Sequence, residues 1–306
     1  MARREEEETM RLAIINDWRL GVVDPVAGTV VDVHDALPWR HDPDPFGAGW
    51  WLRLCRELPH LRNAIGRAAA AGPPVPLDEV ALRPPVLNPG KVIACACNYA
   101  GHVTEMRDRV MPERTAGAGR WLLDFDVFLK APSSVCGPRD TVVLPATTPG
   151  GEEAPVHHEA ELTVVIGTGG RDIPPERAMS HVLGYLIGLD MTVRASGDRS
   201  RRKSHDTFTP LGPWLTTADE VPDPHDIEIE LRVGSEVRQK VNTAALLTRV
   251  DRIVNYASTC MRLEPGDVIM TGAPPGVGPV EDGDVLDVSM TGLGRMHVPV
   301  RAATHP

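Results

Sequence analysis

The sequence contains few aromatic residues and no long apolar run. Its 4 phenylalanines, 6 tryptophans and 3 tyrosines are outnumbered by 29 prolines and 28 glycines. This composition predicts many turns and short elements rather than long helices. No apolar stretch reaches the roughly 20 residues that a membrane-spanning helix needs. We therefore expect no membrane association.

The sequence also lacks paired cysteines and a secretion signal. No two cysteines show zinc-ligand spacing and their number is odd, so we expect all of them to be reduced and structural: Cys55, Cys95, Cys97, Cys136 and Cys260. The first residues, MARREEEETM, are charged and have no apolar core. We expect residues 1–9 to form a disordered acidic tail and the protein to be cytoplasmic.

Basic residues are fewer than acidic ones, and the formal net charge is −10. A chain of this charge is not an electrostatic binder of nucleic acid or of anionic membranes. The glycine- and proline-rich loop Thr271–Pro279, TGAPPGVGP, can present backbone N–H groups to an anion. It lacks the Lys-Ser/Thr pair of a nucleotide-binding P-loop, which excludes that class of site.

The first part of the chain predicts a small α+β domain. Residues 12–33 contain three short β-type segments, LAIIN, LGVVD and TVVDV, and residues 47–71 show helical spacing that we expect Pro59 to break. The proline-rich residues 72–90 predict an extended connection. We therefore divide the chain into an N-terminal domain with its linker, residues 10–87, and a larger domain, residues 88–306.

The larger domain is predicted to be mostly β. From Lys91 onward the chain contains many short segments rich in β-branched residues, and two pairs of them read as hairpins, IEIELRV with VRQKV and DVSMT with RMHVPV. One helix is expected at residues 250–262, where apolar residues recur at helical spacing. The fold class is mostly β, within the α+β class.

Three carboxylates form a candidate metal site. Glu159 and Glu161 precede an apolar strand in HHEAELTVVIG, and their spacing places both side chains on one strand face. Asp190 ends the apolar run GYLIGLD. Two like charges so close need a cation between them, and oxygen ligands favour Mg²⁺ or Mn²⁺. The alternative is a solvent-facing edge strand, with Asp190 as a strand-end cap.

A histidine and a carboxylate form a candidate general base. In NYAGHVTEM, His102 and Glu105 share one face of a predicted short helix, where the carboxylate can orient the imidazole. Such pairs also occur on ordinary surface helices. A basic segment follows later in the chain, and its residues can either hold a substrate carboxylate or form a solvated loop: Arg194, Arg199, Arg201, Arg202 and Lys203.

Eight segments follow one another along the chain: NYAGHVTEM, FLKAPSSVCGPRDTVVLP, HHEAELTVVIG, LDMTVR, KSHDTFTPLGPW, VRQKVNT, LEPGDVIMTGAPPGVG and GLGRMHVPV. In this order they resemble the fumarylacetoacetate hydrolase family over about residues 88–301. Any one of them is weak on its own, but eight in register are specific. The resemblance therefore favours a metal site over a solvent-facing edge strand, and a base dyad over an ordinary pair on a surface helix.

The resemblance implies a mixed β-sandwich roll that is usually a homodimer. It implies that Mg²⁺ or Mn²⁺ is held by Glu159, Glu161 and Asp190, and that His102 and Glu105 form a base dyad on a lid. It also implies that Lys203 lies near the metal-bound oxygens as a catalytic residue. Three further residues are implied to line the substrate site: Lys130, Arg194 and Thr271.

The implied activity is hydrolysis of a carbon–carbon bond in a small 2,4-dioxo acid of the acylpyruvate or fumarylpyruvate type, through an enolate that the metal stabilises. Two alternatives use the same enolate: decarboxylation of an oxaloacetate-like acid and isomerisation of a 2-hydroxyhepta-2,4-diene-1,7-dioate type substrate. A third alternative is a non-catalytic metal-binding or interaction protein. Because the intact dyad and carboxylates argue against that alternative, we expect an enzyme acting on 2-oxo acids.

A few positions depart from the family pattern. His205 replaces the usual aromatic residue of Lys-Ser-Phe-Asp, and Ala195 stands where an aspartate is frequent. Ala273 replaces a threonine, and His157 and His158 replace Asp-Tyr. None of these changes removes a proposed ligand or a member of the dyad. They leave the identity of the substrate open.

Overall fold

The computed structural model describes residues 10–44, 49–112, 123–147 and 154–303. The predicted disordered tail, residues 1–9, lies outside them. The described helices are α1 (Gly49–Ala71), α2 (Ala100–Glu105), which continues into a π-helical turn at Met106–Val110, α3 (Pro175–Ala178), α4 (Arg199–Lys203) and α5 (Val250–Cys260). Short 3-10 turns connect several elements.

The described residues contain twenty short strands. They are β1 (Arg11–Ile15), β2 (Arg19–Asp24), β3 (Thr29–Asp32), β4 (Val75–Pro76), β5 (Leu82–Arg83), β6 (Val92–Ala96), β7 (Asp126–Lys130), β8 (Val135–Cys136), β9 (Val142–Leu144), β10 (Val156–His158), β11 (Ala160–Ile166), β12 (Val182–Leu189), β13 (Thr192–Val193), β14 (Thr209–Thr217), β15 (Glu228–Val233), β16 (Glu236–Asn242), β17 (Val268–Met270), β18 (Gly278–Val280), β19 (Val285–Met290) and β20 (Gly294–Ala302).

The strands form three sheets. The largest has twelve strands in the order β4-β3-β2-β1-β14-β12-β11-β17-β6-β7, with β5 beside β1 and β8 beside β14. A five-stranded sheet has the order β16-β15-β19-β20-β9, and a small one has the order β13-β10-β18. Antiparallel pairs dominate, and β6–β17, β8–β14 and β9–β20 are parallel. The prediction of a mostly β, mixed sandwich roll is confirmed, including both hairpins.

The N-terminal strands extend the large sheet, because β1 pairs antiparallel with β14. Helix α1 packs its buried face, including Trp51, Leu54 and Leu58, into an apolar cluster shared with strands of that sheet. The expected break at Pro59 is wrong, since α1 runs through it. An interior proline costs a helix about 3 kcal/mol, and burial of the apolar face on both sides of Pro59 offsets that cost. The division of the chain at residue 87 stays a prediction.

The main core lies between the large sheet and the five-stranded sheet. Buried side chains such as Leu162 and Ile187 from the first pack with Leu231 and Val288 from the second. Helix α5 covers this core with Ile253 and its neighbours, and it confirms the helix predicted at residues 250–262. No helix of the described residues is long and apolar enough to cross a membrane.

One junction in this core positions the carboxylates. Strand β11 lies between β12 and β17, and all seven of its residues are buried. Its first residue, Ala160, pairs with Leu189, the last residue of β12. Glu159, which directly precedes β11, therefore lies beside Asp190, which directly follows β12. The Asp190 N–H donates to the Glu159 carbonyl at 2.8 Å.

Candidate metal and acid–base site

Glu159, Glu161 and Asp190 converge in the protein interior. Each offers a carboxylate oxygen, and these oxygens all lie within 4.8 Å of one another. The three residues are 3%, 1% and 1% exposed, so the alternative of a solvent-facing edge strand does not describe them. Three buried oxygen ligands at this spacing suit a hard divalent cation.

Backbone geometry fixes Glu161. The Gly272 N–H donates to its Oε2 at 2.6 Å. Gly272 has φ +104°, and a Cβ there would lie 2.8 Å from the Cβ of Asn98. A side chain at position 272 is therefore excluded by both the backbone conformation and the space. Asn98 holds the same segment by donating to the Thr271 carbonyl at 2.7 Å.

Three cationic side chains surround the carboxylates. The Lys203 ammonium donates to Glu159 at 2.7 Å and to Asp190 at 2.6 Å. Lys130 donates to the other Asp190 oxygen at 2.7 Å and to the Phe208 carbonyl at 2.8 Å. Arg194 forms an ion pair with Glu159. Both lysines are buried, so each depends on these carboxylates for its charge balance.

The two glutamates differ in their electrostatic environment. Burial disfavours the charge on Glu159, but Lys203 and Arg194 outweigh it and hold the pKa of Glu159 well below its usual value. Burial, together with the charges of Asp190 and Glu159, raises the pKa of Glu161 well above its usual value. Among the described residues Glu161 has no ion-pair partner, and its buried Oε1 accepts no hydrogen bond. A divalent cation between the carboxylates would satisfy that oxygen, so these residues fit a metal site.

The His102–Glu105 pair lies on α2, as the spacing predicts. The His102 Nδ1 and the Glu105 Oε2 are 3.4 Å apart, and Arg109 forms an ion pair with the same carboxylate. The Gly276 N–H also donates to Glu105, at 3.1 Å to Oε2. Burial opposes ionisation of Glu105, but the hydrogen bonds from His102 and Gly276 outweigh it and lower the pKa of Glu105.

One cavity is lined by a member of the dyad, His102, and by a member of the carboxylate cluster, Glu159. His102, Glu159, Arg194 and Lys203 all contribute to its wall, beside an apolar surface of Met106, Met111, Leu123, Phe128 and Ala273. Arg199, Arg202 and Cys97 complete the cationic and polar part. The cavity is open to solvent at its mouth and includes about 670 Å³ of space, part of which is open solvent.

Two residues that are predicted to line the substrate site, Lys130 and Thr271, lie beside the carboxylate cluster. Lys130 is directed to Asp190 and Phe208, and the Thr271 hydroxyl donates to the Leu162 carbonyl at 2.9 Å. Neither is among the described residues of the cavity wall. Both support the metal site from behind, and their contact with substrate stays a prediction.

Gln239 is a buried residue at the site that the sequence pattern does not reveal. Its Oε1 accepts from the Ala160 N–H at 3.0 Å and contacts His158 Nδ1 at 3.2 Å. Its Nε2 donates to the Pro274 carbonyl at 2.9 Å. In the sequence it is the middle one of three consecutive polar residues in VRQKV, and nothing in that segment distinguishes it as a site residue.

The family is shown by comparison with known proteins. The model described as fumarylacetoacetate (FAA) hydrolase C-terminal matches residues 91–301. The chain therefore belongs to the fumarylacetoacetate hydrolase family of enzymes. It is 38% identical over 297 residues to a maleylpyruvate hydrolase of Aquipseudomonas alcaligenes. The matched region covers 96% of this chain and 100% of that protein.

Solved structures of similar proteins agree with this assignment. A maleylpyruvate hydrolase from Sphingobium sp. SYK-6, in complex with manganese(II) and pyruvate, is 39% identical with a TM-score of 0.82, covering 96% of this chain and 100% of that chain. A probable 2-hydroxyhepta-2,4-diene-1,7-dioate isomerase from Mycobacterium abscessus is 29% identical with a TM-score of 0.78, covering 97% of this chain and 100% of that chain.

Proposed function

We propose that this protein is a Mg²⁺- or Mn²⁺-dependent hydrolase that cleaves a carbon–carbon bond in a small 2,4-dioxo acid of the acylpyruvate class. The observation that carries the proposal is that one cavity is lined both by Glu159, a member of the carboxylate cluster with Glu161 and Asp190, and by His102 of the His102–Glu105 dyad. The similarity to two maleylpyruvate hydrolases over 96% of the chain supports it.

Glu159, Glu161 and Asp190 would hold the metal. When bound, the divalent cation supplies Lewis-acid polarisation of the substrate oxygens. Lys203 and Arg194 both line the cavity, where Lys203 contacts Oε2 of Glu159 and Arg194 contacts Oε1. Their positive charges orient the carboxylate end of the substrate and stabilise negative charge that develops there.

His102 acts as the general base. With Nδ1 turned to Glu105, Nε2 is the ring nitrogen that accepts a proton from water. Glu105 is held in the ionised form by the Gly276 N–H and fixes the imidazole orientation. The negative charge of Glu105 also stabilises the imidazolium that forms after proton transfer.

The overall reaction consumes one water molecule. The water oxygen bonds to the carbonyl carbon distal from the carboxylate, and its proton passes to His102. The carbon–carbon bond between that carbon and the neighbouring methylene then breaks, and the acyl group leaves as a carboxylic acid. The electron pair remains on the three-carbon fragment, which takes up a proton at the methylene carbon and leaves as pyruvate.

A product assay tests the proposal. The purified protein is stripped with EDTA and incubated with acetylpyruvate, maleylpyruvate or oxaloacetate, each with and without added Mg²⁺ or Mn²⁺. The proposal predicts metal-dependent release of pyruvate together with the free acid from at least one acylpyruvate. The absence of both products under every metal condition would reject it.

An isomerase of the same family is the second candidate. It is favoured by the similarity to the Mycobacterium abscessus protein over 97% of the chain. An isomerase uses a base to move a proton within the substrate and adds no water across a carbon–carbon bond. It would consume a 2-hydroxy-diene dioate without releasing pyruvate. Release of carbon dioxide from oxaloacetate, with no turnover of the acylpyruvates, would instead indicate a decarboxylase.

We further propose a cytoplasmic homodimer in which residues 88–306 form the catalytic unit, as the family resemblance implies. Size-exclusion chromatography with light scattering tests the dimer directly, because the chain mass is 33.2 kDa. A mass equal to one chain at micromolar concentration would reject it. Expression of residues 88–306 alone tests the division of the chain. The test is demanding, because this piece would lack β1, which pairs with β14 across the boundary at residue 87.

A further inference from the structure

Lys130 is a cationic side chain that is enclosed by the protein. It is the last residue of β7, and its side chain is 0% exposed. The ammonium donates to Oδ1 of Asp190 at 2.7 Å and to the Phe208 carbonyl at 2.8 Å. Lys130 is not among the described residues of the cavity wall. Buried carboxylates of the protein, rather than a substrate in the cavity, therefore balance its charge.

The carboxylate cluster receives as many formal positive charges as it has negative ones. Its three carboxylates are contacted by three cations among the described side chains: Lys130, Lys203 and Arg194. Lys203 and Arg194 also line the cavity, where an anionic substrate can share their charge. The charge of Lys130 acts on the cluster from behind, and it repels any further cation that the carboxylates bind.

Three contacts besides Lys130 hold Asp190 in its position. The Asp190 N–H donates to the Glu159 carbonyl at 2.8 Å, and the Asp190 carbonyl accepts from the Thr192 hydroxyl at 2.9 Å. The second carboxylate oxygen, Oδ2, accepts from Lys203 at 2.6 Å. A neutral side chain at position 130 should therefore remove a charge from the cluster while the carboxylates keep their positions.

We infer that Lys130 is an internal counter-cation, which stabilises the carboxylate cluster in the metal-free protein and weakens the binding of Mg²⁺ or Mn²⁺ there. The inference rests on the proposed function, because it takes the cluster as the metal site. A buried cation keeps like-charged carboxylates together when no metal is bound, and the same charge costs metal affinity. Because the carboxylate charge is already balanced, an anionic 2-oxo acid rather than the protein balances the two charges that a divalent cation adds.

Two neutral variants test the inference with Mn²⁺ as the probe. Lys130→Gln removes the charge and retains an N–H donor for Asp190, whereas Lys130→Met removes both. The Phe208 carbonyl stays paired in either variant, since it also accepts from the Met191 N–H at 3.1 Å. Calorimetric titration of the chelator-stripped proteins should give a Kd for Mn²⁺ that is about 10- to 100-fold lower in Lys130→Gln than in the wild type, and lower in Lys130→Met as well.

Thermal unfolding gives a second readout that does not depend on turnover. Without metal, both variants should melt at a lower temperature than the wild type, because Asp190 loses a buried ionic partner. The same concentration of Mn²⁺ should then raise the melting temperature of the variants by more than that of the wild type. A merely structural role of Lys130 would instead lower stability and metal affinity together.

Lys91→Met is the matched control. Lys91 forms a 2.7 Å ion pair with Asp267, a buried carboxylate that is not a member of the cluster. Loss of this pair should also lower the melting temperature, but the Kd for Mn²⁺ should stay within about twofold of the wild-type value.

A Kd for Mn²⁺ in Lys130→Gln that equals or exceeds the wild-type value would overturn the inference, and so would an equally lowered Kd in Lys91→Met. If Lys130→Met does not fold without metal, Lys130→Gln decides. If Lys130→Gln binds Mn²⁺ more tightly while the wild type hydrolyses neither acetylpyruvate nor maleylpyruvate, the hydrolase proposal fails and the inference stands. If the wild type hydrolyses either substrate with Mn²⁺ and the Kd of Lys130→Gln is unchanged, the inference alone fails. A wild-type protein that binds no Mn²⁺ would overturn both.

Discussion

The side-chain carbonyl of Gln239 accepts a hydrogen bond from the Ala160 amide, 3.0 Å away and between the two glutamates of the candidate metal site. The other end of the same side chain donates to Pro274, two residues before the glycine whose N–H holds Glu105. One buried amide therefore connects the strand that carries the metal ligands with the loop that anchors the base dyad.

Gln239→Leu should weaken both sites while the chain still folds. The change keeps the volume but leaves the Ala160 N–H and the Pro274 carbonyl unpaired in the interior, at about 1–3 kcal/mol each. We expect a lower melting temperature and about 10-fold weaker Mn²⁺ binding by calorimetry. Gln239→Glu is the control, because it retains the acceptor for Ala160 and should retain more Mn²⁺ affinity. Wild-type Mn²⁺ affinity in Gln239→Leu would contradict this role.

Glu161→Gln should separate metal binding from folding. In the metal-free protein Glu161 carries the burial and like-charge penalty that raises its pKa, so the neutral amide should leave the metal-free melting temperature unchanged or higher. Added Mn²⁺ should stabilise the wild-type protein and fail to stabilise the variant. The control is Glu79→Gln at an exposed position. Equal Mn²⁺ stabilisation of Glu161→Gln and wild type would remove Glu161 from the ligand set.

His102→Asn should abolish catalysis without loss of metal. The amide can still face Glu105 but cannot accept a proton, so kcat for an acylpyruvate should fall by about 10²- to 10⁴-fold. Because His102 lies outside the carboxylate cluster, Mn²⁺ affinity should stay within about twofold. Turnover close to that of the wild type would show that another group provides the base.

We expect the free energy of unfolding to fall as the pH is lowered, because His34 is buried in its neutral form. This residue is 1% exposed, its Nδ1 accepts the Leu20 N–H at 3.1 Å, and burial lowers its pKa to about 4. The unfolded chain takes up a proton below about pH 6.5, whereas folded His34 stays neutral down to about pH 4. The stability present above pH 6.5 is therefore lost progressively as pH falls toward 4.

The comparison of wild type with His34→Asn measures this contribution. The asparagine oxygen can replace Nδ1 as the acceptor for Leu20 and does not titrate. The difference in unfolding free energy between pH 7 and pH 5 should be smaller in the variant by about 1–2 kcal/mol. An identical pH dependence of the two proteins would show that His34 is not held neutral in the folded state.

Much of the candidate site was predictable from local spacing. Glu159 and Glu161 at i and i+2, Asp190 at the end of an apolar run, and His102 with Glu105 at i and i+3 are all patterns within one element. The convergence of the first three depends on the pairing of Ala160 with Leu189. Strand register of this kind is set by long-range packing, so the spacing proposes the ligands and only the fold brings them together.

The remaining site residues depend on contacts that no local pattern encodes. Gln239 resembles any polar residue on a strand, and its burial follows from the packing of β16 near the start of β11. Thr271 and Lys130 lie beside the site, but their side chains turn toward Leu162 and Asp190. The break expected at Pro59 is wrong because the local penalty of proline is visible in the sequence and the compensating burial of α1 is not.

The most direct test of the account is a titration of the chelator-stripped protein with Mn²⁺ in the presence of maleylpyruvate, and separately of acetylpyruvate, with pyruvate and the free acid quantified together. The account predicts that neither product forms before metal is added, and that both then appear in equal amounts from at least one of the two substrates, at a rate that saturates with Mn²⁺. Equal release of both products in excess EDTA, or Mn²⁺ binding at the site without products from either substrate, would contradict it.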